Sequence, residues 1–283
     1  MSEGSQPFTL AALFKITRFW NLVIIVFAQF FTTYFLVSPK AVLFWQLYTL
    51  SLSTVLIAAA GYIINDYYDV KIDLINKPDR VVVGKSIRRR YALLFHWALS
   101  ISGVAMGFLL SWKIAAINFF CGFLLWWYSN FLKRKPFVGN VAVALLTGLS
   151  IYVVGVLFDP YNKLIALYSF FSFFITIVRE IIKDMEDLKG DNTFGCQTLP
   201  IVWGIRKTKT LIYLLVLFHL LAIVYFNALF VGLPVWILAG FIFFPTAFLM
   251  LQLTTADTIK DFSNLSFYCK IILLLGVFSM AIV

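Results

Sequence analysis

The chain changes from apolar to acidic within the stretch Asn65-Asp66-Tyr67-Tyr68-Asp69-Val70-Lys71-Ile72-Asp73, which directly follows an apolar run at 43–64. A second acidic cluster, from Glu180 to Asp191, lies at the end of another apolar run at 164–183. With Asp79, the two clusters contain nine of the thirteen carboxylates. Carboxylates at a membrane boundary are energetically costly and typical of functional sites. The two clusters are therefore the first candidates for a binding site.

The composition identifies an integral membrane protein. Of 283 residues, 62% are hydrophobic and only 13% are charged, whereas a soluble domain has about 25% charged residues. The apolar runs are long and lack the alternation of a barrel, so helices are the spanning structure. We predict an all-α, multi-pass membrane bundle of nine transmembrane helices with a cytoplasmic polar cap, each near the ~20 residues that cross a bilayer. The predicted spans are 18–37, 43–64, 91–111, 114–130, 139–158, 164–183, 210–231, 234–253 and 265–283.

These spans are predicted to form a single domain, 1–283. Both acidic clusters come at the end of a span and begin a long polar loop, at 65–90 and 184–209. This repetition predicts two four-helix halves, 18–130 and 139–253, with a ninth helix at 265–283 appended. Long loops in an otherwise compact bundle are usually functional, so we expect the site at these two loops.

The net charge of +10 is explained by topology rather than by nucleic acid, which we do not expect as a partner. With the N-terminus in the cytoplasm, only Lys40, Lys113 and Lys163 fall outside, and the other twenty Lys and Arg fall on the cytoplasmic side. This is the positive-inside pattern. We predict a cell (inner) membrane protein with its active site facing the cytoplasm.

Each acidic cluster has the spacing of a helix face. Residues three or four apart lie on one side of an α-helix, and both clusters contain such intervals. If the helices continue beyond the apolar runs, each cluster presents two or three oxygen ligands along one stripe. Mg²⁺ needs few carboxylates because water and phosphate oxygens complete its octahedron. The predicted ligands, for two Mg²⁺ ions, are Asn65, Asp69, Asp73, Asp184, Asp187 and Asp191.

Basic residues beside the clusters suit a diphosphate, which Arg binds as a fork and Lys as a point charge. The residues predicted to hold the diphosphate are Lys77, Arg80, Lys133, Arg134, Arg179 and Lys183. Arg80 and Lys133 are also predicted to act in catalysis by neutralising the leaving group. Asp66 is the third predicted catalytic residue, which would bind the metal or orient nearby Lys and Arg.

The two motifs resemble those of the UbiA superfamily of intramembrane prenyltransferases. Asn65-Asp66-x-x-Asp69-x-x-x-Asp73 is similar to the first aspartate motif, and Asp184-x-x-Asp187-x-x-x-Asp191 is similar to the second. Within the superfamily, the run from Arg179 to Asp191 is most similar to that of digeranylgeranylglyceryl phosphate synthases. The resemblance covers the whole chain, and it implies a helical bundle with a polar cap over a membrane-embedded cavity.

The resemblance also implies Mg²⁺-dependent transfer of a geranylgeranyl group from a polyprenyl diphosphate to a membrane-lipid acceptor, geranylgeranylglyceryl phosphate. An aromatic acceptor of the 4-hydroxybenzoate, dihydroxynaphthoate or chlorophyllide type is the alternative. Val81-Val82-Val83-Gly84-Lys85 replaces the usual Pro-Ile-Pro-Ser-Gly where an acceptor would enter. A cation-coupled secondary transporter is a further alternative, but its sites favour the bilayer midplane, and here the charges lie at the ends of the apolar runs.

Overall fold

The structure, a computed structural model, describes residues 10–283, without the side chains of Leu10 and Arg80. This part of the chain is helical and contains no β-strand, apart from one isolated bridge between Val83 and Ile87. The prediction of an all-α bundle is therefore confirmed. In chain order the helices are α1 Leu10–Ile16, α2 Phe19–Thr32, α3 Trp45–Asn76, α4 Arg89–Leu110, α5 Trp112–Asn130, α6 Val138–Phe158, α7 Lys163–Glu186, α8 Leu188–Thr193, α9 Leu199–Phe226, α10 Val235–Leu238, α11 Phe244–Thr255 and α12 Ile259–Ser279.

Eight helical segments of the described chain are long and apolar enough to cross a membrane: Phe19–Val37, Trp45–Asn76, Arg89–Leu110, Val138–Phe158, Lys163–Glu186, Leu199–Val231, Val235–Thr255 and Ile259–Ile282. They correspond to eight of the nine predicted spans. The remaining span, 114–130, is also helical as the 19-residue α5, but its Trp, Tyr, Asn and Lys residues make it less apolar. The predicted count of nine is therefore not confirmed.

Two predicted loops are shorter than expected because helices continue beyond the apolar runs. Helix α3 ends at Asn76, so the predicted loop 65–90 begins only at Lys77. The predicted loop 184–209 contains α8 and the start of α9, which begins at Leu199 with Pro200 in its first turn. Tertiary contacts can carry a helix through polar residues of low helix propensity, and Asp69 and Ile72 in the extension of α3 are buried. Hydropathy alone therefore marks the helix ends wrongly.

The described chain divides into two compact units. The first comprises residues 10–27 and 43–133, and the second comprises 28–42 and 134–283. The four-helix halves predicted from the sequence repeat stay a prediction.

In the first unit, α4 and α5 pack against the long helix α3. Helices α4 and α5 form a tight hairpin, since α4 ends at Leu110 and Ser111 caps α5 by accepting a hydrogen bond from the Ile114 N–H (3.2 Å). The two backbones approach closely at Gly107, where a Cβ atom would lie 2.8 Å from the Cα of Ala115. Only glycine leaves room for this contact.

The three consecutive valines after Arg80 belong to the core of the first unit. Val81, Val82 and Val83 are buried, and Val82 and Val83 pack in one cluster with Ala12 and Ile16 of α1. Apolar burial of this kind stabilises the loop against α1. The valines therefore have a packing role, and only Gly84 and Lys85 of the altered pentapeptide are exposed.

In the second unit, α7 is the central helix and packs against α6, α9 and α12. Its side chains Phe171, Ile175 and Ile182 are almost completely buried in the main hydrophobic cluster. At the opposite end from the acidic motif, the Tyr168 hydroxyl and Ser279 Oγ of α12 are 2.9 Å apart and hydrogen-bonded. The dense packing around α7 gives the second acidic motif a rigid support.

Candidate active site

The first acidic motif lies on the last turns of α3. Because α3 continues to Asn76, Asn65, Asp69 and Asp73 occupy positions four residues apart on one helical face. Asp69 is buried, with 3% of its surface exposed, whereas Asn65, Asp66 and Asp73 are half-buried. The structure thus brings the predicted ligands of this motif onto one stripe.

Arg18 holds two residues of this motif and was not identified from the sequence. Its guanidinium donates to Asn65 Oδ1 and to Asp66 Oδ1, both at 3.1 Å, and lies 4.9 Å from the centre of the Tyr62 ring. Burial alone lowers the pKa of Arg18, but Asp66 and Tyr62 raise it, and the net pKa is above its ordinary value. Arg18 therefore keeps its positive charge beside Asp66.

Arg18 is placed by an irregular turn between α1 and α2. Its φ of 50° lies in the left-handed region, which is strained for a non-glycine residue. Such strain persists where surrounding contacts fix the conformation, and here those contacts are the two hydrogen bonds to the motif. In the sequence, Arg18 is only a basic residue at the start of the first predicted span. The positive-inside pattern explains such a residue equally well, so the sequence does not mark it as part of the site.

Lys133 lies against the same motif. It follows α5 in a short 3₁₀ turn, Leu132–Arg134, and its ammonium group forms an ion pair with Asp69 Oδ2. This pair joins two residues that the sequence analysis assigned to different roles, Asp69 to the metal and Lys133 to the diphosphate. Lys133 and Arg18 together supply cationic groups to two neighbouring carboxylates of α3.

Other basic residues near the first motif contact backbone oxygens. Lys85 Nζ donates to the Pro78 carbonyl (3.0 Å), and Arg89 donates to the Tyr67 carbonyl (3.3 Å) while lying 4.5 Å from the centre of the Tyr67 ring. Lys77 directly follows α3, and its backbone N–H donates to the Asp73 carbonyl (2.8 Å). The side chain of Arg80 lies outside the described part of the structure.

The second acidic motif is divided by a helix break, so the predicted single stripe is wrong here. Asp184 lies in the last turn of α7, whereas Asp187 occupies the junction between α7 and α8 with φ −90° and ψ 5°. Asp191 follows within α8 and is 2% exposed. Residues spaced three or four apart lie on one face only if the helix is continuous. Because α7 ends at Glu186, the three aspartates of this motif do not form one stripe.

Asp184 is held by Asn140 of α6, a second partner that the sequence analysis missed. The side-chain amide of Asn140 donates to Asp184 Oδ2 at 2.8 Å, and Asn140 is itself buried. Asp184 is half-buried, and a hydrogen bond from a buried amide fixes the orientation of its carboxylate and offsets the partial loss of water. Asn140 was invisible in the sequence because it is one polar residue in an apolar span, 44 positions from Asp184.

Arg179 and Lys183 both lie beside Glu180. Arg179 forms an ion pair with Glu180, and Lys183 Nζ lies 3.9 Å from the other carboxylate oxygen of Glu180. Glu180 is buried and was not among the predicted site residues. Arg134 is exposed, and its carbonyl accepts a hydrogen bond from the Gln197 N–H (3.0 Å).

The donor atoms of the first motif fit Mg²⁺. Within residues 10–283, no three His, Cys, Asp or Glu side chains converge closely enough to form a metal site by themselves. Asn65, Asp66 and Asp69 nevertheless offer only amide and carboxylate oxygens, the ligands that Mg²⁺ prefers, and Mg²⁺ takes few protein ligands. The cationic groups of Arg18 and Lys133 already lie on these oxygens, so this part of α3 attracts positive charge.

Comparison with known proteins identifies the family. The model of the UbiA prenyltransferase family matches residues 22–271. A digeranylgeranylglyceryl phosphate synthase of Methanosphaera stadtmanae is 34% identical over 235 residues, which are 82% of this chain and 85% of that protein.

Two solved structures share the fold. One, concerned with digeranylgeranylglyceryl phosphate synthase in membranes, is similar with a TM-score of 0.74 and 22% identity over 96% of this chain and 97% of that chain. The other, a UbiA homologue from Archaeoglobus fulgidus bound to GPP and Mg²⁺, has a TM-score of 0.72 and 16% identity over 96% and 100%. These likenesses confirm the multi-helix membrane fold. Since the family model also covers most of the sequence, this chain belongs to the UbiA prenyltransferase family, and it is an integral membrane enzyme that transfers prenyl groups.

Proposed function

We propose that this enzyme transfers a geranylgeranyl group from its diphosphate to geranylgeranylglyceryl phosphate. The relative from Methanosphaera stadtmanae, a digeranylgeranylglyceryl phosphate synthase, supports this substrate pair. The observation that carries the proposal is the pairing of first-motif carboxylates with cations, Asp66 with Arg18 and Asp69 with Lys133. One short surface thus contains both oxygen ligands for a metal and positive charge for a diphosphate.

Two Mg²⁺ ions are the proposed cofactors, as the Mg²⁺-bound UbiA homologue from Archaeoglobus fulgidus supports for the metal type. Bound Mg²⁺ neutralises the diphosphate and makes it a better leaving group. Asp66 would orient Arg18 beside these ligands. The proposed ligands are Asn65, Asp69 and Asp73 in the first motif and Asp184, Asp187 and Asp191 in the second.

Basic residues stabilise the departing diphosphate in the proposed reaction. Lys133 would exchange part of its contact with Asp69 for a phosphate oxygen, and Arg80 would supply a second positive charge. Positive charge placed where negative charge develops lowers the barrier because the groups need no reorganisation during the reaction. The remaining proposed diphosphate residues are Lys77, Arg134, Arg179 and Lys183.

The phosphate of the acceptor adds a second anion, which requires positive charge in addition to the metal ions. We propose that it shares Arg179, Lys77 and Arg134 with the diphosphate and that Lys85 contacts it alone. The Nε of Arg179 makes no hydrogen bond within the described chain and retains a donor for a phosphate oxygen. An aromatic acceptor would need fewer of these charges.

We further propose that the enzyme resides in the cell (inner) membrane with its active site facing the cytoplasm. The distribution of Lys and Arg supports this orientation. Polyprenyl diphosphate would then enter from the cytoplasmic side, and the prenyl chains of both substrates would lie among membrane lipids.

A reconstitution assay tests the proposed function. Purified protein in lipid nanodiscs is incubated with radiolabelled geranylgeranyl diphosphate, Mg²⁺ and one of three acceptors: geranylgeranylglyceryl phosphate, 4-hydroxybenzoate or a dihydroxynaphthoate. We expect the phosphorylated lipid to be prenylated fastest, with loss of product in EDTA and recovery on adding Mg²⁺. Asp69→Ala and Asp184→Ala should each remove most activity. Faster prenylation of either aromatic acceptor would refute the acceptor, and full activity in either variant would refute the metal ligands.

A further inference from the structure

We propose that Glu180 is a catalytic residue that takes the proton from the acceptor hydroxyl during prenyl transfer. This inference rests on the proposed function and adds a residue to its mechanism. Transfer of a prenyl group to a hydroxyl forms a bond between the acceptor oxygen and C1 of the prenyl chain, and it releases one proton. The residues proposed for the metal ions and the phosphates have other roles, so the reaction needs a separate proton acceptor.

Glu180 lies on the same face of α7 as Asp184, one turn before it. Helix α7 is continuous from Lys163 to Glu186, so residues four apart share a face and are separated by about 6 Å along the axis. Asp184 is near the end of the membrane span, and Glu180 is one turn deeper within it. A diphosphate held at Asp184 has its prenyl chain directed into the membrane, so C1 lies on the side of Glu180.

The carboxylate of Glu180 is buried and held by two cations. Glu180 is 5% exposed, forms an ion pair with Arg179, and has its Oε2 3.9 Å from the Lys183 Nζ. These charges offset the loss of water around a buried carboxylate, and they fix its orientation. A fixed orientation suits a proton acceptor, because proton transfer requires an oxygen within hydrogen-bonding reach of the substrate.

Arg179 links the acceptor phosphate to Glu180. Its Nη1 contacts Glu180 Oε1, whereas its Nε makes no hydrogen bond within the described chain and can bind a phosphate oxygen. In geranylgeranylglyceryl phosphate, two glycerol oxygens carry the phosphate and the prenyl chain, and the remaining oxygen is the hydroxyl that reacts. Only the glycerol backbone separates this hydroxyl from the phosphate. A phosphate on Arg179 therefore brings the hydroxyl within reach of the Glu180 carboxylate.

The next turn of the same face contains a second polar group that suits a substrate oxygen. Thr176 is four residues before Glu180 and 3% exposed, and its hydroxyl makes no hydrogen bond within residues 10–283. The Thr147 hydroxyl, in contrast, donates to the Val143 carbonyl of its own helix. A buried hydroxyl without a partner is unfavourable, and a glycerol oxygen of the acceptor would satisfy it.

The proposed step balances in atoms and charge. The bond between C1 and the diphosphate breaks, and its electron pair stays on the diphosphate oxygen. The acceptor oxygen bonds to C1, and its proton moves to a Glu180 carboxylate oxygen. An oxygen that bonds to a cationic carbon becomes a strong acid, so a carboxylate is basic enough to take the proton. The proton passes to water when the products leave.

Two acceptors that differ in one atom test the proposal: geranylgeranylglyceryl phosphate and its analogue with a thiol in place of the reacting hydroxyl. A thiol loses its proton to water near neutral pH far more readily than an alcohol does. We expect Glu180→Gln to lower kcat for the hydroxyl acceptor by about 10²–10⁴-fold, the usual contribution of a general base. The same variant should lower kcat for the thiol acceptor by only about threefold or less. The KM for the hydroxyl acceptor should not rise, because Arg179 and Lys183 remain.

Glu186→Gln is the matched control, because Glu186 is a half-buried carboxylate of the same helix but lies six positions from Glu180 and so on another face. It should keep the wild-type ratio of the two kcat values. If Glu180 only holds Arg179 in place, Glu180→Gln loses activity equally with both acceptors and its KM rises. That result overturns the proposal, as does a normal kcat for the hydroxyl acceptor.

A second variant covers the case in which Glu180→Gln does not fold. Glu180→Asp keeps the charge but withdraws the carboxylate by one methylene, and it should lower the ratio of hydroxyl to thiol transfer by about tenfold or more. An unchanged ratio overturns the proposal. A wild type that prenylates neither acceptor overturns the proposed function itself, whereas an active wild type with equal losses in the variants overturns only the role of Glu180.

Discussion

At the residue scale, the first acidic motif depends on two cationic side chains that lie far from it in the sequence. A carboxylate shielded from water is unfavourable unless a charged or hydrogen-bonding partner offsets the loss. Arg18 supplies this partner to Asp66, and Lys133 supplies it to Asp69. The same side chains also attract a diphosphate, so orientation of the ligands and binding of the substrate depend on one set of charges.

Replacing Arg18 tests whether it positions the motif. We expect Arg18→Ala to lower the apparent Mg²⁺ affinity and kcat/KM by about 10–100-fold, the usual effect of losing a residue that orients metal ligands. Arg18→Lys should fall between, because lysine keeps the positive charge but lacks the planar guanidinium that lies over the Tyr62 ring while one of its nitrogens donates to both Asn65 and Asp66. The measurements are the Mg²⁺ dependence of prenyl transfer at saturating substrate, which gives the apparent Mg²⁺ affinity, and a substrate titration at saturating Mg²⁺, which gives kcat/KM.

The control for Arg18 is Arg88→Ala. Arg88 is exposed and is one of the basic residues of the positive-inside pattern, but it is not a proposed site residue. It should leave Mg²⁺ affinity unchanged within about twofold, as expected for a surface charge. Equal Mg²⁺ affinity in Arg18→Ala and the wild type would show that Arg18 has no positioning role.

Asn140 allows the same test for the second motif. Asn140→Leu keeps a similar volume but removes the donor to Asp184, and we expect kcat to fall by about 10–100-fold. Thr147→Val on the same helix is the matched control, because the Thr147 hydroxyl donates only to the carbonyl of Val143 in its own helix. A variant Asn140→Leu with normal kcat at saturating Mg²⁺ would contradict the role of this hydrogen bond.

At the element scale, the helix ends determine how the acidic motifs are presented. Helix α3 continues through its motif, so the predicted stripe of Asn65, Asp69 and Asp73 is present. Helix α7 ends within its motif, so Asp184 and Asp187 do not share one continuous helix. The two motifs have similar spacing in the sequence, but they differ in backbone geometry.

The sequence predicted the elements better than their partners. Apolar runs located the membrane helices, because a helix must be predominantly apolar over about 20 residues to cross the bilayer. Arg18 and Asn140 could not be predicted, since their contacts with Asp66 and Asp184 depend on tertiary packing between distant helices. The sequence comparison places the valines at 81–83 near the entry of the acceptor, whereas their burial, with Val82 and Val83 packed against α1, gives a packing reason.

The α4–α5 hairpin should be sensitive to one methyl group. Gly107→Ala places a Cβ 2.8 Å from the backbone of Ala115, and we expect a loss of about 1–3 kcal/mol in stability from overpacking. Thermal unfolding of the detergent-solubilised protein measures the change. Gly240→Ala is the control, because no atom lies within 4 Å of its Cβ position and alanine favours helix. Equal midpoints for the two variants would refute close packing at Gly107.

The packing role of the valine loop gives a separate prediction. Val82→Ala removes buried methyl groups and should lower stability by about 1–2 kcal/mol. Because Val82 packs against the core rather than being exposed, the ratio of kcat/KM for two competing acceptors should stay the same. A changed acceptor ratio with normal stability would instead place this loop at the acceptor.

At the scale of the whole molecule, the side of the membrane on which the later elements lie depends on whether α5 crosses the membrane. Its 19 residues give a length of about 28 Å, close to the thickness of the hydrocarbon core. If α5 crosses, successive spans return both acidic motifs to the same face. If α5 does not cross, every later element is inverted, and Lys163 would join the basic side.

Cysteine labelling at the two ends of α5 distinguishes these topologies. In a background without Cys121, Cys196 and Cys269, we expect Lys113→Cys to react with an impermeant maleimide in intact cells and Lys135→Cys to react only after permeabilisation. The reason is the positive-inside rule, which places Lys113 outside and the Lys133-Arg134-Lys135 cluster in the cytoplasm. Lys40→Cys and Lys163→Cys are the matching external controls. Labelling of Lys113→Cys and Lys135→Cys from the same side would show that α5 does not span, and it would refute a common cytoplasmic site for both motifs.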